Sequence, residues 1–339
     1  MNYFLKKTLL FLSPFLIVPL LYFYFDPFKV LYKYDTYFES EQPNYVHLNK
    51  DYVSTQNFLN KYKDHNYEAL ILGNSRSVYY EVVTWSSFIH VSPKKCYHLD
   101  ASGENLFGVM KKIELLQRLN MPVKNLLVIL DPTSLSGTKD YLEYFKMKHP
   151  VASDKSTLRF HLKHLTAFSN YTFFRAFVDF KLGGKIKPYM LEKKIFDSLP
   201  FHYDPVTNEI QMRYLEKKIK KDSLLFYAER RSFFYTRPAI EKMSDPVLYE
   251  KQKKMLRTIL DYANINNVSI KIVISPMYDQ LRIDKTDLNY LEQLFGKSNV
   301  FDFSGKNIFT ENIGNYYEDS HYRPHVAQKI MEYIYADTR

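Results

Sequence analysis

The stretch Glu68-Ala-Leu-Ile-Leu-Gly-Asn-Ser-Arg-Ser77 decides the fold. The uninterrupted apolar run Ala69–Leu72 reads as a strand buried on both faces, and Gly73 closes it. Such a strand belongs in a parallel sheet covered by helices. In open parallel sheets, ligands bind at the carboxyl ends of the strands. Ser75, just past that end and before an expected helix, is therefore placed where chemistry is expected. A serine at a strand-to-helix turn is also an ordinary helix N-cap, and Gly-Asn-Ser alone does not decide between the two.

The same pattern recurs outward along the chain. Cys96-Tyr-His-Leu-Asp-Ala101 predicts a second strand, and Asn125-Leu-Leu-Val-Ile-Leu130 a third, closed by Asp131-Pro132. Between them Leu106, Val109, Met110, Ile113 and Leu116 fall at helical spacing. The rhythm resumes late. Helices are expected over 246–265 and 285–296, strands over Val268–Ile274 and Asn299–Phe303, and a last helix from near Pro324. The expected fold class is α/β: a doubly wound parallel sheet in three α/β/α layers, with a helical insertion and an N-terminal transmembrane helix.

The chain divides accordingly. Residues 1–7 form a cytoplasmic N-terminus, 8–25 a transmembrane anchor and 26–65 a linker. The α/β domain occupies 66–135 and 246–339, and 136–245 is a mostly helical basic insertion. Thr8–Phe25 is 18 residues without a charge, long enough at about 1.5 Å per residue to span nearly a bilayer core. Lys6 and Lys7 place the N-terminus in the cytoplasm, and Tyr22 to Phe25 suit an interfacial belt. Bulky residues stand where a signal peptidase would need small ones, which favours an anchor over a cleaved leader.

Composition excludes several classes. With 339 residues, 46% of them hydrophobic, the chain has enough apolar material for a packed core. One cysteine, Cys96, permits no intrachain disulfide and no CxxC site. No HExxH, GxGxxG or Walker sequence is present, so neither metal nor nucleotide cofactor is expected. The net charge of +10 favours anionic partners. Residues 151–250 carry 18 Lys and Arg against 12 Asp and Glu, so most of that excess lies in the insertion. The run Lys217-Lys218-Ile219-Lys220-Lys221 reads as a solvated helix face or as a surface meeting an anionic polymer or lipid. No nucleic-acid module accompanies the charge, and nucleic acid is not an expected partner.

A serine nucleophile needs a histidine to take its proton, a carboxylate to orient that histidine, and N–H donors for the oxyanion. Asp319-Ser-His321 follows the last strand, on the same sheet edge as Ser75. The expected catalytic residues are Ser75, Asp319 and His321. His325 is a competing base, but it would sit inside the last helix.

Together these blocks resemble the SGNH (GDSL-type) serine hydrolases. The carriers are Gly73-Asn-Ser-Arg-Ser77, Tyr97-His-Leu-Asp-Ala-Ser-Gly103, Val128-Ile-Leu-Asp-Pro132 and Asp319-Ser-His-Tyr322. The resemblance covers roughly 66–135 and 268–337 and is strongest to membrane-anchored or periplasmic proteins that modify envelope polymers, the alginate-acetylation and teichoic-acid D-alanylation types. It implies Ser75 as nucleophile, His321 as base, Asp319 as the orienting group, and the N–H groups of Ser75 and Gly103 as the oxyanion hole. One block departs from the pattern: where the family often has an asparagine, Asp131 would repel an oxyanion if aimed at it. Asn105 is a substitute amide donor or, equally, a helix N-cap. Arg76 is a candidate for binding an anionic substrate group, or pairs with a carboxylate. Trp85 and the many tyrosines suit either a sugar-stacking groove or the core.

The function so implied is an extracytoplasmic acyl transferase or esterase, with acetyl as the expected group and a cell-surface polysaccharide or other anionic envelope polymer as acceptor. No cofactor is needed, and a membrane-bound O-acyltransferase is the implied donor partner. The location is a bacterial cytoplasmic membrane, single-pass. One alternative is a non-catalytic scaffold or polymer-binding component of the envelope. A lipid esterase or thioesterase fits the same triad, and nothing in the sequence marks an acyl-chain channel.

Overall fold

Five apolar runs become five parallel strands. These are β1 (Ala69–Gly73), β2 (Cys96–His98), β3 (Asn125–Leu130), β4 (Ser269–Ile274) and β5 (Val300–Asp302), in the computed structural model, which describes residues 2–43, 45–192, 196 and 199–336. Their order is β2-β1-β3-β4-β5, every neighbouring pair parallel. Leu72, Val128, Ile272 and Val300 stand side by side in register.

Strand alternation sends side chains to two separate cores. Leu70, Leu72, Leu126, Val128 and Ile272 pack against helices Leu106–Arg118 and Glu250–Ile265. Ala69, Ile71, Leu127, Ile129 and Val273 face Val82–Phe88 and Pro324–Ile334. The fold is therefore α/β with helices on both faces. Trp85 is fully buried in the second core, its Nε1 donating to the Tyr335 hydroxyl at 2.9 Å, which removes it as a sugar platform.

From β1 the chain moves out to edge strand β2 and returns to β3 on the other side of β1. That reversal opens the crevice where such sheets bind ligands. Gly73 is required there. Its φ is +151°, and a Cβ would lie 2.6 Å from the Ile129 carbonyl oxygen.

The segments outside the sheet differ from expectation. Residues 26–65 are not a linker. Lys50–His65 is a helix, capped by Asn49, whose side chain accepts from the Tyr52 N–H at 3.1 Å, and ended by Asn66 in the left-handed conformation. Its inward face mixes the apolar Tyr52, Val53 and Phe58 with polar groups. Ser54 Oγ donates to the Asp100 carbonyl at 2.6 Å, and Asn57 Nδ2 to the Pro205 carbonyl at 2.9 Å. Residues 136–245 contain helices, including Thr157–Phe168 and Tyr171–Gly183, but also a hairpin of Pro200–Asp204 with Glu209–Gln211. Gln42–Pro43 adds a third strand to that hairpin. Together these segments build a third core, with Phe38, Tyr52, Phe168, Phe177 and Phe201 buried in it, and form a cap beside the sheet. In the basic helix Arg213–Lys221 only Leu215 and Ile219 are buried, so its lysines form a solvated face.

A buried ion cluster joins cap to sheet. Asp51, Glu104, Lys112 and Lys148 have side chains 1% exposed. Lys112 meets Asp51 at 3.1 Å and Glu104 at 2.6 Å; Lys148 meets Asp51 at 3.2 Å and also bonds Glu104. Burial opposes the charge on Asp51, yet the two ammonium groups and the His149 N–H hold its carboxyl down at about 2.

The N-terminus is a helix, Asn2–Phe25. The side chains of residues 9–15, in the expected anchor, lie outside the described residues. Among the described residues, no helix is long and apolar enough to cross a membrane. The end of this helix docks on the cap. Tyr22 is buried with its ring 5.7 Å from Phe168, and Asp26 turns the chain by accepting from the N–H groups of Val30 and Leu31 at 2.9 Å each.

Candidate active site

The turn after β1 is held by its own side chains. Asn74 Oδ1 accepts from the Arg76 N–H at 3.0 Å, and the N–H and hydroxyl of Ser77 both donate to the Asn74 carbonyl. A single 3-10 turn, Ser77–Tyr79, follows, and the helix begins only at Val82. Ser75 is therefore no helix cap. Its hydroxyl is paired with His321 Nε2 at 2.7 Å.

His321 reaches Ser75 from a hairpin after the last strand of the sheet. Tyr316–Glu318 and His321–Tyr322 run antiparallel, with Glu318 directly opposite His321. Residues paired across a hairpin project on one face, and His321 Nδ1 bonds the Glu318 carboxylate. With Nδ1 protonated toward that carboxylate, Nε2 keeps its lone pair and the Ser75 hydroxyl donates to it. This is a serine–histidine–carboxylate relay.

The orienting carboxylate is thus Glu318, which corrects the expectation for Asp319. Asp319 and Ser320 form the tip of the turn, where Asp319 Oδ1 accepts from the Ser320 hydroxyl at 3.1 Å. The environment separates the two acids. Burial works against charge on Glu318, but its bonds to His321 and the Ser320 N–H outweigh that and hold its carboxyl below the usual range. Asp319 is pushed up, by partial burial and by the neighbouring Glu318. Both directions favour ionisation of Glu318, the group that touches the imidazole, over Asp319.

The remaining candidates fall into place differently. Asp131 lies on the adjacent strand end but does not line the crevice. Its Oδ2 accepts from Asn74 Nδ2 at 2.6 Å and from the Arg76 guanidinium at 2.8 Å, and its Oδ1 caps the next helix through the Ser134 N–H. The feared repulsion is absent, because this charge is buried, paired and turned away. Of the two roles expected for it, Arg76 shows the carboxylate pairing. Besides Asp131 it donates from Nε to the Ser320 carbonyl at 3.0 Å, tying the serine turn to the histidine hairpin. Asn105 is an N-cap: its Oδ1 accepts from the Gly108 N–H at 3.0 Å, and its Nδ2 donates to the Lys139 carbonyl. It contributes nothing to an oxyanion hole. Gly103, at φ +64°, stands in the loop beyond β2, its carbonyl accepting from the Tyr141 hydroxyl at 2.8 Å. The N–H groups of Ser75 and Gly103 donate to no described residue. His325 pairs with Asn315 at 2.9 Å, apart from the relay.

Ser75, His321 and Glu318 line a cavity of about 340 Å³. Ser102 contributes from the β2 loop, and Tyr79, whose ring lies edge-on 6.0 Å from His321, closes one side. Most of the remaining wall comes from the cap, through Phe38, Leu48, Phe201 and Ile210. Sequence reasoning missed Glu318 and this wall. Glu318 had a signal available: an Asp-Ser pair suits a two-residue turn, and such a turn sets the residues on either side of it opposite one another. Among the described residues no cluster of His, Cys, Asp or Glu is arranged to hold a metal ion. No family model, curated protein or solved structure matches the chain.

Proposed function

We propose that this chain is an SGNH-type serine acyltransferase or esterase. The observation that carries the reading is the 2.7 Å contact between Ser75 Oγ and His321 Nε2, with Nδ1 held by Glu318, at the wall of a cavity beside a strand end.

The chemistry follows from those groups. Ser75 Oγ attacks the carbonyl carbon of an ester as its proton passes to His321 Nε2. The N–H groups of Ser75 and Gly103 receive the oxyanion. Collapse expels the alcohol, which takes the proton from His321, and leaves an acyl ester on Ser75. A second hydroxyl, from a glycan or from water, gives its proton to His321 and attacks that ester, regenerating Ser75. Glu318 stays ionised and stabilises the imidazolium formed in each half.

We place the reaction outside the cytoplasm, with Thr8–Phe25 as the anchor, the envelope polymer as acceptor and a membrane-bound O-acyltransferase as donor. The uncharged run behind Lys6 and Lys7 supports that placement. The docking of Tyr22 on the cap fits it too, since it would hold the site at a fixed distance from the end of the helix.

The test is labelling of the full chain with a fluorophosphonate, the adduct located by peptide mass spectrometry. An adduct on Ser75 that is lost in Ser75→Ala and His321→Ala is expected. Folded protein without an adduct would end the catalytic reading and leave the polymer-binding one.

A further inference from the structure

The cavity beside Ser75 has a wall that the acyl-transfer chemistry does not itself require. Phe38, Leu48, Phe201, Ile210, Met212 and Leu215 line it, drawn from the cap and from the second core of the sheet. It is thus a seam between two packed units, left open where Ser75 faces it. The lining surface is mostly apolar and its charged groups sit at a few places, one of them Asp100, whose Oδ1 is buried without a hydrogen bond among the described residues. Lys50 meets Asp100 at 3.4 Å, Glu318 serves His321, and Arg230 reaches the Tyr317 carbonyl at 3.5 Å.

A sugar ring would bring hydroxyls needing partners into this space and would find mainly hydrocarbon, so burying it there would leave polar groups unsatisfied. An alkyl chain has no such requirement. We infer that the group carried on Ser75 is a medium-length acyl chain lying in this cavity, rather than acetyl. The inference rests on the acyl-enzyme reading above and names its substrate class: esters of linear fatty acids. At ~30 Å³ for each water-sized volume the cavity holds roughly ten, enough for an acyl chain of about six to ten carbons. The covalent step is the one already given, with the acyl carbon passing from the ester oxygen to Ser75 Oγ, the alcohol leaving protonated, and the chain following into the cavity.

The experiment measures kcat/KM of the full chain on p-nitrophenyl esters from acetate to dodecanoate, alongside fluorophosphonate labelling of Ser75. Each methylene moved from water into the cavity is expected to raise kcat/KM about fourfold, with a maximum at about six to ten carbons and a fall beyond it. Ile210→Trp, or the milder Ile210→Phe if the first does not fold, is expected to shorten the optimum by at least two carbons. A flat or acetate-favouring profile in protein whose Ser75 labels overturns the chain-length inference and leaves the relay intact. So does an unchanged optimum in a folded filling variant. Absence of both turnover and label removes the inference and the relay together.

Discussion

The carboxyl edge of the sheet and the cap beside it solve different problems with different chemistry. At the edge, polar groups are few and each is assigned: Ser75 to His321, His321 to Glu318, Asp131 to Arg76 and Asn74. They stand on strands whose interior is hydrocarbon on both faces. The cap is built of aromatic rings, but it meets the sheet domain through the fully buried ions Asp51, Glu104, Lys112 and Lys148. Apolar packing makes the platform rigid, and buried charge fixes how the second unit sits on it. A change at the edge should therefore alter chemistry without stability, and a change at the seam the reverse.

The largest effect is expected at the edge. Glu318→Gln keeps the shape but removes the charge that orients and stabilises the imidazolium, so kcat should fall about 10³–10⁴-fold. Steady-state kinetics with a thermal melt in parallel checks this, and a fall in Tm of more than a few degrees would break the separation. Next comes the seam. Lys148→Met leaves Asp51 and Glu104 short of one cation in a buried site and should cost about 3–5 kcal/mol of stability, read by urea unfolding. Labelling of Ser75 in the folded fraction should persist.

A pH effect of intermediate size should follow the buried histidines. Burial lowers His98, His149 and His164 to about 4, from 6.5 for an ordinary histidine. Between those values the unfolded chain binds protons that the folded chain excludes, so stability is complete above about 6.5 and falls as the pH drops toward 4. Glu209 acts in the opposite sense: burial pushes its carboxyl up to about 7, and protonation relieves the folded state as pH falls. Three histidines against one carboxyl should leave a net loss on the order of 3 kcal/mol between pH 7 and pH 5, measured by urea unfolding at each pH. A chain equally stable at both values would mean that the cap, which carries His149 and His164, opens to water. The smallest effect belongs to Asp319→Asn. At the tip of the turn it should change kcat by less than threefold in the same assay, and a loss comparable to that of Glu318→Gln would reinstate Asp319 as the orienting acid.

The legibility of the two regions differs for the same physical reason. Ala69–Leu72 and Asn125–Leu130 announce themselves because a strand covered on both faces has to be apolar at every position. Ser75 and His321 were legible because strand ends and the loops beyond them are few. Helix Lys50–His65 was not, since its buried face intersperses Lys50, Asp51, Ser54 and Asn57 with Tyr52, Val53 and Phe58, and buried ions and amides break the apolar periodicity. The cavity was hidden likewise. Phe38 reaches Phe201 beside the pairing of Gln42–Pro43 with Phe201 and Pro200, more than 150 positions away, and no local pattern encodes that. Asp131 was legible as a residue but not as a direction: its partners Asn74 and Arg76 lie more than 50 positions upstream.

Ser75 and His321 are separated by 246 positions of chain, and that distance orders events in time. At about 5–20 residues per second of synthesis, the serine exists for roughly 10–50 s before its base has been made. Throughout that interval the nascent chain carries an ordinary hydroxyl, without the imidazole that makes it reactive. The Ser75–His321 pair forms only near the end of biosynthesis, when the C-terminal hairpin folds onto the turn and Arg76 can grip the Ser320 carbonyl. A chain truncated anywhere before His321 lacks the imidazole and carries only an ordinary hydroxyl at Ser75.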